Sequence, residues 1–127
     1  MMNGSLGMFA QAPSEMVTDV LLLDEPTTFL DIAHQVEVLD LVWELNRSEG
    51  RTVVMVLHDL GQACRYADHL VAMKAGRIVA SGPPRDVITE RLIQAVFDVP
   101  SKIGKDPLTG GPLVLTSRLR DVSVAAR

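Results

Sequence analysis

The stretch that decides the fold reads Val20-Leu21-Leu22-Leu23-Asp24-Glu25-Pro26-Thr27-Thr28-Phe29-Leu30-Asp31. Its apolar residues follow one another without alternation, which is typical of a strand buried on both faces, as in a parallel sheet. The proline and the threonines mark a loop, and Asp31 can cap a helix that follows. The stretch therefore predicts a buried strand that ends in a pair of carboxylates, Asp24 and Glu25.

The residues after Asp31 carry a helical pattern. Apolar side chains recur at spacings of four, three and four, and further ones widen the stripe: Ile32, Val36, Leu39, Trp43, Leu41, Val42 and Leu45. Gly50 follows the last of them, as glycine commonly does at a helix C-terminus. The pattern predicts an amphipathic helix of about 15 residues.

A second apolar run, residues 51–57, is followed directly by His58. It predicts another buried strand, with the histidine at its carboxyl end. Asp59 and Gln62 have the spacing of a capping box, so we expect a short helix from Leu60 to about Ala67.

The rest of the chain alternates short elements. We expect strands at 69–74, 77–81 and 113–115, a tight turn at 75–76, and helices at 85–88 and 90–97. The order of elements predicts an α/β fold with a mostly parallel sheet. Three regions are expected: a poorly ordered lead-in at 1–18, the main domain at 19–100, and a partly disordered extension at 101–127.

Composition limits the classes of function. The 127 residues suit a single domain, and a formal net charge of -4 argues against a nucleic-acid partner. Cys64 is the only cysteine, which excludes an intramolecular disulfide. Because there is no run of 18 apolar residues, no spanning helix is expected, and any membrane association would go through a partner.

Three polar side chains stand where an α/β sheet binds its ligands, beyond the carboxyl ends of strands. Asp24 and Glu25 could hold a hydrated Mg²⁺ and polarise a water, and His58 could bond a developing phosphate charge. Residue types and spacing leave an ordinary alternative open, in which the carboxylates begin a solvated loop and the histidine is structural.

The longer sequences around these residues resemble those of the ABC-type ATPases. Residues 21–31, LLLDEPTTFLD, resemble the Walker B motif and the D-loop, and residues 56–59, VLHD, resemble the switch-histidine loop. The resemblance implies ATP and Mg²⁺ as cofactors, with weak ATP binding expected in the absence of a P-loop. It implies that Asp24 holds the metal through water, Glu25 polarises the attacking water, Asp31 lies at the dimer interface and His58 contacts the γ-phosphate.

Longer stretches are similar to the ATPases of ferric-siderophore importers, with haem and cobalamin importers as relatives. These are DEPTTFLDIAHQ at residues 24–35 and LHDLGQACRYA at residues 57–67. The resemblance implies transmembrane permease subunits and a second ATPase subunit as partners. A periplasmic or surface siderophore-binding protein would be an indirect partner. The expected location is the cytoplasmic face of the membrane.

Two parts of such an ATPase do not occur in this sequence. Residues 4–7, GSLG, are the nearest approach to a phosphate-binding P-loop, but the first lysine in the chain is Lys74. The signature motif Leu-Ser-Gly-Gly-Gln is also absent. The fold expected is therefore a truncated P-loop NTPase core without the Walker A strand and the helical subdomain. The resemblance places that strand beside the Walker B strand, so an apolar edge and face should be exposed.

A chain of this kind is expected to be inactive alone, since phosphate binding and positioning supply most of the catalysis in phosphoryl transfer. Two alternatives stay open. The chain could be a non-catalytic fragment that binds and modulates an intact transporter subunit, or it could be a decayed gene product.

Overall fold

The computed structural model describes residues 4–10 and 20–117. These residues form four helices and seven strands, which are, in chain order, β1 (Gly4–Ala10), β2 (Val20–Asp24), α1 (Ile32–Glu49), β3 (Thr52–Leu57), α2 (Leu60–Tyr66), β4 (His69–Lys74), β5 (Arg77–Gly82), α3 (Pro84–Val87), α4 (Glu90–Phe97), β6 (Ser101–Lys105) and β7 (Pro112–Thr116). The α/β class predicted from the sequence is confirmed. Among the described residues no helix is both long and apolar enough to cross a bilayer.

The main sheet has five strands in the order β2-β3-β1-β4-β5. β2 and β3 are parallel, and α1 forms the crossover that a parallel pair requires. The other three pairings are antiparallel. The prediction of a mostly parallel sheet thus holds for β2 and β3 only, because β1 enters in the opposite direction and β4 and β5 form a hairpin.

β1 corrects the expectation of a poorly ordered lead-in. Gly4–Ala10 lies between β3 and β4, with Leu6 opposite both Leu57 and Ala72. The segment has no clear apolar period, but an interior position gives its backbone hydrogen-bonding partners on both sides. Residues 1–3 and 11–19 of the predicted lead-in lie outside the described residues.

The core lies on one face of the main sheet, called here the covered face. Its sheet residues alternate along the strands and pack with the helices: Leu21, Leu23, Val53, Met55, Leu57, Leu70, Ala72 and Ala80. The opposite side, the open face, carries Val20, Leu22, Val54, Val56, Val71 and Met73. Val20 and Leu22 are 62% and 74% exposed. The prediction that this strand is buried on both faces is therefore wrong for the described structure, since no described helix packs on its second face.

β2 is also an edge of the sheet among the described residues. The expectation of an exposed apolar edge and face is met here.

Helix α1 begins and ends where the sequence predicts. Asp31 is its N-cap, with Oδ1 accepting a bond from the backbone N–H of His34, and Gly50 closes it in the left-handed conformation. The buried face is different from the predicted stripe. Leu39, Val42 and Asn46 are the buried residues. Much of the predicted stripe is exposed, namely Ile32, Val36, Leu41 and Trp43.

The second half of the chain follows the predicted elements closely. The turn at Ala75 and Gly76 has positive φ at both residues, as a tight hairpin requires. α4 buries Leu92, Ile93 and Val96 against the sheet.

The predicted extension is more ordered than expected. β6 and β7 form a separate two-stranded sheet that packs against α4 and α2. Only a short strand at 113–115 was predicted, because Gly and Pro interrupt the apolar pattern of this region. Residues 118–127 lie outside the described part of the chain. The predicted domain boundaries after residues 18 and 100 stay predictions.

Candidate functional site

The ends of β2 and β3 bring the predicted site residues to one edge of the sheet. The parallel register sets Asp24, the last residue of β2, opposite Val56. β3 continues for only one more residue, so the two strands end at nearly the same level of the sheet. The backbone N–H of Glu25 donates to the carbonyl of Val56, 3.0 Å away. Glu25 and His58 thus emerge side by side, as the sequence predicts for strand ends.

The side chains of Glu25 and His58 are in contact. His58 Nε2 is hydrogen-bonded to Glu25 Oε1, and Thr28 Oγ1 donates to the other carboxylate oxygen at 3.2 Å. Both side chains are about one-third exposed, at 38% for Glu25 and 35% for His58. The bond from His58 is the main cause that lowers the pKa of Glu25 below its ordinary value of 4.5, and Thr28 adds to it. Glu25 is therefore ionised at neutral pH.

Asp24 and Asp31 lie at the two ends of the loop that connects β2 to α1. Asp24 is exposed at the end of β2, beside Glu25. Asp31 is occupied as the helix cap, and His34 Nδ1 lies 2.9 Å from the same carboxylate oxygen. The structure thus brings Glu25 and His58 into contact. Asp24 precedes Glu25 at the end of β2 and does not line the cavity over that contact, and Asp31 caps α1.

A cavity of about 190 Å³ lies over the Glu25–His58 contact. Two glutamines contribute to its wall, Gln35 from α1 and Gln62 from α2. The sequence interpretation assigned Gln62 to a capping box and gave no role to Gln35. Nothing in the sequence indicated that these two glutamines are neighbours, because they meet only when α1 and α2 pack together.

No group of three or more His, Cys, Asp or Glu side chains is placed to hold a metal within residues 4–10 and 20–117. Mg²⁺ commonly uses one or two carboxylates and completes its shell with waters and substrate phosphates. The exposed carboxylate of Asp24 fits that mode of binding. The described residues do not offer a site in which protein side chains alone surround the metal.

Comparison with known proteins gives a consistent set of relatives. Over 98 residues the chain is 59% identical to the "Probable siderophore transport system ATP-binding protein YusV" of Bacillus subtilis (strain 168). It is 56% identical to the petrobactin import ATP-binding protein FpuD of Bacillus anthracis. It is 52% identical to the ferric enterobactin transport ATP-binding protein FepC of Escherichia coli (strain K12). The matched part of this chain is similar to the ATP-binding proteins of ABC transporters.

The match covers most of this chain and a minor part of each relative. The 98 residues are 77% of the chain but only 36% of each of these ABC ATP-binding proteins. No protein-family model matches the chain.

The fold agrees with this assignment. A solved structure of a metal-chelate type ABC transporter in an inward-facing conformation superposes with a TM-score of 0.66. The superposition covers 78% of this chain and 40% of that chain, at 24% identity. This chain therefore shares the α/β fold of the matched part of that structure.

Proposed function

We propose that this chain is part of the ATP-hydrolysing subunit of an ABC importer for iron–siderophore complexes. The observation that carries the proposal is the contact of Glu25 with His58 where two parallel strands end. The substrate class is supported by the printed functions of the relatives, which act in siderophore, petrobactin and ferric enterobactin transport. In this proposal the chain works at the cytoplasmic face of the membrane with permease subunits and a second ATPase subunit. A siderophore-binding protein would be linked only indirectly.

The geometry suggests how each residue would act. Because its two oxygens are held by His58 and Thr28 and its pKa is lowered, Glu25 would orient the attacking water as an ionised acceptor. His58 would contact the γ-phosphate and stabilise the charge that develops there. Asp24 would hold Mg²⁺ through water, and the metal would neutralise phosphate charge. Asp31 would lie in the D-loop at the interface with the second ATPase subunit.

We also propose that this chain alone does not hydrolyse ATP. It has no P-loop lysine, and backbone and lysine contacts to the phosphates provide most of the ground-state binding in P-loop enzymes. Titration of the purified chain with Mg-ATP should show weak binding and no turnover. A turnover that Glu25→Gln abolishes would contradict this part of the proposal.

A chimaera tests the assigned roles directly. Residues 20–117 would replace the corresponding segment of a complete ABC ATP-binding protein, and ATP hydrolysis would be measured. We expect turnover, and a loss of about 10²–10⁴-fold with Glu25→Gln, the range for removal of a positioned acid–base group. Glu37→Gln, at an exposed glutamate of α1, is the matched control and should keep the activity. Equal activity of both variants would refute the role of Glu25.

A second candidate function is favoured by the open face and by the position of β2, which is an edge strand among the described residues. Exposed Val20 and Leu22 on such an edge strand are typical of a surface that another polypeptide covers. The chain would then bind an intact transporter subunit and modulate it.

The test is co-purification of a named permease or ATP-binding subunit with the tagged chain, and Leu22→Lys should lower its recovery about tenfold or more. Leu108→Lys, in the exposed turn between β6 and β7, is the control. No recovery with the unmodified chain would dismiss this function. A chain with no cooperative thermal unfolding would instead favour a decayed gene product.

A further inference from the structure

A chain of side-chain hydrogen bonds connects the loop after β2 to helices α1 and α2. Thr27 Oγ1 donates to Gln62 Oε1 at 3.3 Å, and Gln62 Nε2 donates to Gln35 Oε1 at 2.7 Å. Gln35 Nε2 then donates to the backbone carbonyl of Leu30 at 2.9 Å. Each glutamine uses both ends of its amide, so the loop is held at two points through a single pair of side chains.

The backbone of this loop needs such support. Glu25 and Phe29 both have positive φ, 51° and 67°, which costs a residue with a Cβ about 1–2 kcal/mol. The side chain of Phe29 is fully exposed and adds no packing in return. The two glutamines hold Thr27 before Phe29 and Leu30 after it, and so fix the loop on both sides of a strained residue.

Gln62 has a local alternative that it does not use. Asp59 Oδ1 accepts a bond from the backbone N–H of Gln62, which is one half of a capping box. In the full motif the Gln62 amide would return to the backbone of Asp59. Here the amide reaches to Thr27 and Gln35, so capping of α2 does not explain its position.

The glutamine pair also stands directly behind the Glu25–His58 contact. It lines the 190 Å³ cavity over that contact, and it lines a second cavity of about 330 Å³ between α1, α2 and β7. The pair therefore lies between the two cavities, together with Asp59, and both glutamines are partly buried.

We propose that Gln35 and Gln62 are positioning residues that hold the Glu25 loop against the helix that follows His58. They keep the carboxylate and the imidazole in contact before any nucleotide is present, so that Glu25 and His58 move as one unit. The consequence for hydrolysis rests on the proposed function, but the positioning itself does not.

The test replaces each glutamine by methionine, which keeps the length of the side chain and removes its amide. Gln35→Met, Gln62→Met and the double variant are compared with Gln94→Met, a control on the exposed side of α4. Amide hydrogen exchange is measured at Thr28 and Leu30, whose N–H groups close the loop onto Glu25 and Thr27. The imidazole ¹⁵N shifts of His58 are measured at fixed pH, with His69 as the internal reference.

We expect exchange at Thr28 and Leu30 to become about tenfold faster or more in each single variant. The His58 signals should move toward those of Glu25→Gln, whereas β3 amides and the His69 signals stay unchanged. The double variant should add little, because either substitution breaks the same chain of bonds.

Unchanged His58 signals and unchanged loop exchange in both single variants would overturn the proposal. So would an equal loss of protection in β3, since the glutamines would then support the whole domain and not the contact. If Gln62→Met does not fold, Gln35→Met carries the same test from the Leu30 end. No nucleotide is used, so a chain that fails to hydrolyse ATP in the chimaera leaves this result intact.

Discussion

The two faces of the main sheet have similar residues and very different surroundings. The covered face buries Val53, Met55 and Leu57 of β3 almost completely, whereas the open face leaves Leu22 of the neighbouring strand β2 three-quarters exposed. Helix α1 repeats the contrast, with Leu39 buried and Ile32 exposed. An unbroken apolar run such as that of β2 is typical of a strand covered on both faces. We therefore expect further polypeptide to pack on the open face.

A matched pair of leucines gives the largest expected effect. Leu57→Ala on the covered face should lower the free energy of unfolding by about 2–5 kcal/mol, because it leaves a cavity in a close-packed region. Leu22→Ala on the open face should change it by less than about 0.5 kcal/mol. Urea denaturation of both variants measures the two values. Equal losses would mean that the open face is covered in solution.

Thiol labelling gives the next effect. Burial is the first cause that raises the pKa of Cys64 to about 11, and the charges of Asp59 and Asp106 add to it. At pH 7.5 an exposed cysteine placed by Leu22→Cys should react with a disulfide reagent about 10²-fold faster than Cys64, since the thiolate reacts. Cys64→Ala serves as the background for the new thiol. Similar labelling rates at both positions would contradict the claim that Cys64 is buried while position 22 is exposed.

A pH dependence is the smallest effect. The backbone N–H of Leu108 first, and the Arg65 side chain next, lower the pKa of Asp106 below its ordinary value of 3.8. Its contribution to stability is present above that value and is lost as the pH falls through the folded pKa. Asp106→Asn should therefore be destabilising at pH 7, and the difference from the unmodified chain should shrink toward pH 2. Thermal unfolding between these pH values measures it, and a constant difference would contradict it.

Short-range signals predicted much of the fold. Asp31, Gly50 and the Ala75–Gly76 turn act on backbone within a few residues of themselves, so the sequence places the ends of α1 and the β4–β5 hairpin well. The meeting of Glu25 with His58 was also predictable, because parallel strands end at the same edge of a sheet.

Long-range contacts explain what the sequence did not predict. Gly4–Ala10 forms a strand through its pairing with β3 and β4. Its own residues do not show the alternation of apolar and polar side chains that predicts a strand. The buried side of α1 includes Asn46, whose amide donates to the Arg51 carbonyl, so polarity alone misleads there. Gln35 and Gln62 are far apart in sequence and meet only after two helices have packed.

The central place of β1 has a consequence for the order in which the chain folds. Its partners, β3 and β4, lie in the middle of the sequence, so these pairings close long loops and raise the contact order of the domain. On the ribosome β1 emerges before β3 and β4, so both of its sides can be paired only after β4 has been made. The β4–β5 hairpin, whose contacts are local, is expected to form well before the sheet is joined through β1.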